Sequence, residues 1–278
     1  MQTIERQMAS KSKRVTPMIR QYMAMKKEIP DDAILMFRMG DFFELFFDDA
    51  ILAAQALGLT LTSRDKDRGE DAIPMAGVPF RAIEPYVAKL VQQGYSVAMC
   101  DQIEDPKYAK GIVKRAITRL ITPGTINDLD SLDPSSANYL AYVAPISDDA
   151  EKVHIGLLDL LAGEIRYTSC SKASLTDELL RIGVKEVLLE TGELDDFVAE
   201  FKLRNIHLRR LDGPLAPSQV SLDEFFKERF QCNEISGLVR ATLDEERYVI
   251  FRLVEFAEST QRCRLKHLMQ PQAYVIED

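Results

Sequence analysis

The stretch RMGDFFELFFDD, residues 38–49, places four phenylalanines and four acids in twelve positions. Gly40 divides it into the end of one strand and the start of another, and side chains alternate along an extended chain. Phe42, Glu44 and Phe46 then share one face, and Phe43, Leu45 and Phe47 the other. A carboxylate between two rings cannot sit unpaired in a core, because its desolvation costs several kcal/mol or forces protonation. The face that carries Glu44 is therefore expected to be open or to meet something.

Upstream, Thr16 before Pro17 is an N-cap followed by proline at the first helical position, and Met18, Tyr22 and Met25 recur at helical spacing to about Glu28. AILMFRMG reads as a strand, and DDAILAAQALG as a helix from near Asp48 that stops at Gly58. LTLTSRDKDRGEDAIPMAGVPF predicts a short strand, a polar loop and a turn bounded by proline and glycine. IEPYVAKLVQQG predicts a helix with Pro85 in its first turn, and YSVAMCDQI a buried strand. Together these make a mixed α/β domain over residues 16–128, preceded by a mobile basic arm at 1–15.

Residues 107–121, KYAKGIVKRAITRLI, form the densest basic run, with Lys107, Lys110, Lys114 and Arg115 as a candidate patch. On charge alone such a run suits a solvated edge strand whose charges block further pairing better than it suits a nucleic-acid contact. The polar stretch NDLDSLDPSSANY marks the domain boundary. Beyond it, LAYVAPI, KVHIGLLDLLAG and EIRYTSC suit an antiparallel meander, and the helix and strand signals that follow predict a second α/β domain over 129–222. From residue 223 the pattern is helical, and HLMQPQAYVIED carries no closing element, so 223–278 is expected to begin a third domain that is cut short.

The net charge of −9 is unevenly spread. Residues 1–125 hold 18 Lys and Arg against 16 Asp and Glu, and the remainder 17 against 28, that is +2 and −11. Phosphates repel an acidic surface, so any nucleic-acid contact is expected before residue 126. No apolar run approaches the roughly 18 residues of a membrane span, and the N-terminus lacks an apolar signal core, which points to the cytoplasm. Cys100, Cys170, Cys232 and Cys263 are too scattered for a disulfide framework or a metal site, and are expected to be buried free thiols. No phosphate loop, dinucleotide fingerprint, HExxH or nucleophile elbow occurs, so an enzyme is not expected. His154, His207 and His267 are read as structural. One nuclease alternative rests on Asp159 in the middle strand of the meander, with Glu186 and Glu190 flanking a later strand.

TPMIRQYMAMK, FRMGDFFELFFDDA, IPMAGVPF, YVAKLVQQGYSVAMCDQIEDP and RLITPGTINDLD, in this order, resemble the N-terminal domain of the MutS family of DNA mismatch-repair proteins. The resemblance implies that Phe42 wedges beside a mispaired base in the minor groove, that Glu44 accepts a hydrogen bond from that base, and that Arg64 and Met75 lie in loops holding the groove. It implies a second domain that is the family's connector, RNase H-like but without nuclease activity, and FAESTQRCRLKHL resembles the start of the core domain. Full-length members add a clamp, a lever and an ATPase that uses ATP and magnesium; this chain is expected to bind no cofactor. The partners implied are double-stranded DNA with mispaired or unpaired bases and a MutL-like protein docking on the connector. Full-length members are homodimers, whereas this chain is expected to be a monomer of the cytoplasm working on the nucleoid. A fragment that docks MutL with little DNA binding of its own is the alternative. Phe43 stands where many members have Tyr, Ser63 where a basic residue is frequent, and Phe80-Arg81 where Tyr-His is common.

Overall fold

A computed structural model describes residues 16–63, 72–105, 107–109, 111–126, 138–211, 219–230 and 244–276. The chain divides into two compact units, Met1–Thr122 and Pro123–Asp278.

The first unit is built on a six-stranded sheet of order β3-β4-β2-β1-β5-β6, with β1 Ala33–Met39, β2 Phe42–Phe46, β3 Thr62–Ser63, β4 Pro74–Pro79, β5 Ser96–Gln102 and β6 Arg115–Ile121. Only β1 and β5 run parallel; the other pairs are antiparallel. Helix α1, Pro17–Lys26, begins as its sequence dictates, with the Thr16 hydroxyl accepting from the Ile19 N–H at 3.4 Å and proline in the first turn. It lays Ile19 and Tyr22 on one sheet face, over Leu35, Phe37, Phe46, Ala98, Cys100 and Ile117. Helix α2, Phe47–Leu57, ends on Gly58 at φ +71, and it packs with α3, Ile83–Gln92, on β2, β4 and β5.

Two expectations change here. IPMAGVPF is the strand β4 and not a turn: its prolines stand at the two strand ends, where a missing N–H is tolerated, and Ala76 and Val78 are buried between them. Phe47 does not alternate with Phe43 and Leu45, because β2 stops at Phe46 and Phe47 turns the chain into α2 at φ +57, with its ring 6.2 Å from that of Tyr22.

In the second unit a six-stranded sheet has order β11-β10-β7-β8-β9-β12. Strands β7 Tyr139–Ile146, β8 Asp149–Asp159 and β9 Glu164–Ser171 form the expected meander, while β10 Val184–Glu190 and β11 His207–Leu211 add in parallel beside β7. Helices α4, Leu175–Ile182, and α5, Val198–Leu203, cover one face through Leu175, Leu179 and Phe201. Helices α6, Gln219–Phe230, and α7, Asp244–Gln261, cover the other.

The expected start of a third domain at 223 falls inside α6, and Val249, Leu253 and Ala257 of α7 join the same core as Leu140, Tyr142 and Leu158. The strand β12, Gln272–Ala273, pairs with β9. The physical reason is coverage: without α6 and α7 one face of this sheet would be bare. The boundary expected at 128/129, the arm at 1–15 and Cys232 lie outside the described residues. Cys100 and Cys170 are buried and free as expected, whereas Cys263 is exposed.

Candidate nucleic-acid interface

The hairpin joining β1 to β2 has a two-residue loop, Gly40-Asp41, closed by the pair Met39 and Phe42. Gly40 takes φ +58, which a loop this short favours at its first position. Along β2, Phe43, Leu45 and Phe46 are buried, but Phe42 is 47% exposed and Glu44 half-buried. The difference is one of coverage. Toward Phe46 the face lies under Tyr22 of α1, whose ring meets Phe46 edge-on at 5.1 Å. Toward the loop, the residues of β4 opposite Glu44 and Phe42 are Gly77 and Pro79. Gly77 is exposed and adds no side chain beside Phe42; a Cβ built there would lie 3.9 Å from the Phe42 ring.

On the opposite face the hairpin is held stiffly. The Arg38 guanidinium stacks 3.2 Å from the centre of the Phe80 ring, with Phe43 6.0 Å from Phe80, and the Phe80 N–H donates to the Asp41 carbonyl at 2.8 Å. Arg38 also faces Asp101 at 3.5 Å.

The acids of the opening stretch have different employments. Asp49, in α2, is buried and accepts from Lys26 Nζ at 2.8 Å, the Tyr22 hydroxyl at 2.8 Å and the Leu35 N–H at 3.0 Å, tying α1 and β1 to α2. Burial, with the Asp49 charge beside it, holds the Tyr22 hydroxyl well above its ordinary range. Asp41 and Asp48 are exposed. Glu44 is paired in register with Phe37, and over the Phe37 ring, 4.8 Å from its centre, sits the guanidinium of Arg115. Burial lowers the Arg115 guanidinium from its ordinary value, and the charge of Glu44 acts the other way.

Arg115 therefore does not stand with the lysines of the candidate basic patch. It is 9% exposed and donates to the Arg38 carbonyl at 2.7 Å, to Gln21 Oε1 at 2.7 Å and to the Val113 carbonyl at 3.0 Å. A guanidinium on the inward face of an edge strand is buried by its helix. Lys107 and Lys114 are exposed in the β5–β6 loop beside Tyr108, which is 82% exposed. Lys110 and Arg64 lie outside the described residues. Met75 shares the face of Phe42 and Glu44 but pairs with Phe46, at the far end of the strand, and packs half-buried against the α1 core. The structure thus brings Phe42 and Glu44 together and places Met75 apart from them. Sequence reasoning missed Arg115 as a neighbour of Glu44, and its only local signal is a basic residue opening a strand that otherwise reads as an edge.

In the second unit, Asp159 accepts from the N–H groups of Leu161 and Ala162, both at 3.0 Å, and so caps the β8–β9 turn. Glu186 is ion-paired with Arg209 at 2.9 Å, and Glu190 accepts from Tyr142, Tyr248 and Arg252. Among the described residues no three His, Cys, Asp or Glu side chains are grouped to hold a metal ion. His154 bridges Ser169 at 2.7 Å and Glu245 at 3.2 Å, and His267 contacts the Leu160 carbonyl at 2.7 Å.

Residues 16–130 match the family model described as MutS domain I. The DNA mismatch repair protein MutS of Geobacillus thermodenitrificans is 38% identical over 263 residues, which cover 94% of this chain and 27% of that protein. The protein of the same name from Fusobacterium nucleatum is 44% identical over 191 residues, covering 67% of this chain and 21% of its own length, and that of Bartonella quintana 38% over 276 residues, covering 95% and 29%. The chain spans about a quarter of the length of these relatives. Matched in its first domain by the family model and over nearly its whole length by relatives of one name, the chain belongs to the MutS family.

Proposed function

We propose that the first unit recognises mispaired or unpaired bases in duplex DNA through the tip of the β1–β2 hairpin. Phe42 enters the minor groove beside the defect and unstacks it, which costs a few kcal/mol per step and least where pairing is already poor. Glu44, two residues along the same face, accepts a hydrogen bond from the displaced base, worth roughly 1.5–3 kcal/mol when charge-assisted. The observation that carries the reading is a large ring left 47% exposed on a backbone braced from behind by Arg38, Phe43 and Phe80. Arg64 and the lysines of the β5–β6 loop would contribute backbone contacts that position and do not specify.

The second unit is read as the family's connector. A meander extended by two parallel strands with helices on both faces supports its RNase H-like character, and the capping use of Asp159 supports a non-catalytic one. Docking of a MutL-like protein there, dimerisation and ATP hydrolysis belong to the same proposal for the whole family protein.

The test is Phe42→Ala. It should bring mismatched and matched duplex to the same affinity in fluorescence anisotropy while leaving the thermal midpoint nearly unchanged. A buried Phe→Ala costs about 3–5 kcal/mol, and Phe43→Ala, at a residue 1% exposed, is the control that should show it. Retained discrimination together with a large loss of stability in Phe42→Ala would show a core residue and not a wedge.

A further inference from the structure

We propose that the β5–β6 loop, residues 103–114, is a second DNA contact beside the hairpin, in which Tyr108 and Lys114 lie against the sugar–phosphate backbone that borders the groove. The inference rests on the hairpin reading above and deepens it, by adding an aromatic residue outside the hairpin and giving it a place on the duplex.

The register of the sheet brings loop and hairpin to the same end. β1 and β5 run parallel with Phe37 level with Cys100, which sets Met39, before the hairpin loop, level with Gln102, before the β5–β6 loop. The two bases are also tied together. Arg115 donates to the carbonyl of Arg38 at 2.7 Å and to that of Val113 at 3.0 Å, and Arg38 faces Asp101 at 3.5 Å. Neighbouring strands lie about 4.8 Å apart, so the loop between β5 and β6 is offset by about 10 Å from the hairpin of β2 and β1. A minor groove is about 6 Å wide. An element so offset from an inserted ring reaches past the groove to the phosphates along its border.

The loop has the chemistry for that position. Tyr108 is 82% exposed, and Lys107 and Lys114 are exposed as well. A ring so open takes no part in the core, and a tyrosine offers a phosphate its hydroxyl donor and a sugar its apolar face. Residues 103–114 hold three lysines against two acids. Both acids serve the loop's own backbone. Asp105 Oδ1 accepts from the Lys107 N–H at 2.9 Å, the Asp105 carbonyl from the Tyr108 N–H at 3.0 Å, and Glu104 Oε1 from the Lys114 N–H at 2.7 Å. With the Ile103 N–H donating to the Lys114 carbonyl at 3.0 Å, these bonds close the loop at its base and set the turn that presents Tyr108. Backbone contacts carry no base sequence, so the loop should strengthen matched and mismatched duplex alike and leave the preference to the hairpin.

The experiment follows fluorescence anisotropy of the full chain on both duplexes at several salt concentrations. Tyr108→Ala should weaken both by the same factor, roughly three- to tenfold, with neither salt slope changed, since a hydroxyl and a ring release no counterions. Lys114→Gln should weaken both with a slope shallower by about 0.9. Each variant should keep the parent's ratio of mismatched to matched affinity and its thermal midpoint. The chain holds no tryptophan, so Tyr108→Trp adds a single indole, whose quenching by acrylamide should fall when either duplex is bound. Unchanged affinities in Tyr108→Ala, or an indole as open to acrylamide with DNA as without it, overturn the inference and leave the loop to a protein partner, while the wedge is still judged by Phe42→Ala. A loss confined to mismatched duplex overturns it too, because Tyr108 would then act at the defect. Equal losses in Tyr108→Ala beside an unchanged preference in Phe42→Ala keep the loop contact and overturn the wedge. A parent chain that binds neither duplex overturns both.

Discussion

Glu44 carries a charge that a DNA surface should repel, and its worth at that surface depends on where the repulsion falls. At about 7 Å in water one phosphate opposes it by roughly 0.6 kcal/mol, and screening over about 8 Å reduces that further. In the proposed mode the same carboxylate gains at a mispaired base a hydrogen bond larger than this penalty, so the net repulsion is felt mainly by intact duplex. Glu44→Ala should therefore tighten matched duplex by roughly twofold at low salt, weaken mismatched duplex, and lose the first effect as salt rises. Because Glu44 is half-buried beside a cation, the stability change should stay within about 1 kcal/mol. Anisotropy titrations of both duplexes at two salt concentrations, with a thermal melt, check all of these. Matched affinity that falls at every salt while the protein loses several degrees would make Glu44 a structural ion-pair partner.

At the scale of elements, the second sheet shows how closely a helix can be set on a strand. Gly156 in β8 lies beneath α7, and a Cβ there would come within 2.6 Å of both Leu253 Cδ1 and Val249 Cγ1. Gly156→Ala should cost about 1–3 kcal/mol by overpacking. Leu253→Ala alone opens a cavity, but combined with Gly156→Ala it should destabilise by less than the two single losses added, as expected of residues in contact. Denaturant midpoints of the three variants measure that coupling, and simple additivity would show that α7 does not lie on β8 as described. The helical pattern of α7 was legible in the sequence, but its packing on the second sheet, with Val249, Leu253 and Ala257 beside Leu140 and Tyr142, was not, since periodicity shows that a face is apolar and not which sheet it covers. The same limit explains the site. Phe42 and Glu44 were legible together because alternation along one strand is local, whereas Arg115 comes over Phe37, the cross-strand partner of Glu44, only once β1, β5 and β6 are ordered side by side. β4 was missed because its two prolines and Gly77 read as turn residues, although both prolines sit where a strand tolerates them.

For the whole molecule the decisive quantity is charge. Affinity for DNA falls with salt in proportion to the phosphates neutralised, with log K against log salt sloping by about −0.9 for each contact on B-form duplex. Several of the first unit's cations are engaged. Among the described residues Arg20, Lys27, Arg81, Lys89, Lys107 and Lys114 are exposed, but Arg115 is buried, Lys26 serves Asp49, and Arg119 faces Glu84 at 3.6 Å. A hairpin tip that engages about three phosphates would give a slope near −3. The −11 of the residues after 125 acts in the opposite sense, because added salt screens its repulsion of DNA and so flattens the dependence further. The 278-residue chain should therefore bind a mismatched duplex weakly, with a slope no steeper than about −3 between 50 and 200 mM salt. In the proposed mode, mismatched and matched duplex differ by unstacking and one hydrogen bond, neither of which releases counterions, so the two duplexes should show parallel slopes and differ only in offset. A slope of about −6 or steeper would mean about twice the phosphate contacts of the proposed footprint, and slopes that diverge between the two duplexes would mean that recognition is carried by phosphates and not by the ring and acid of the β1–β2 hairpin.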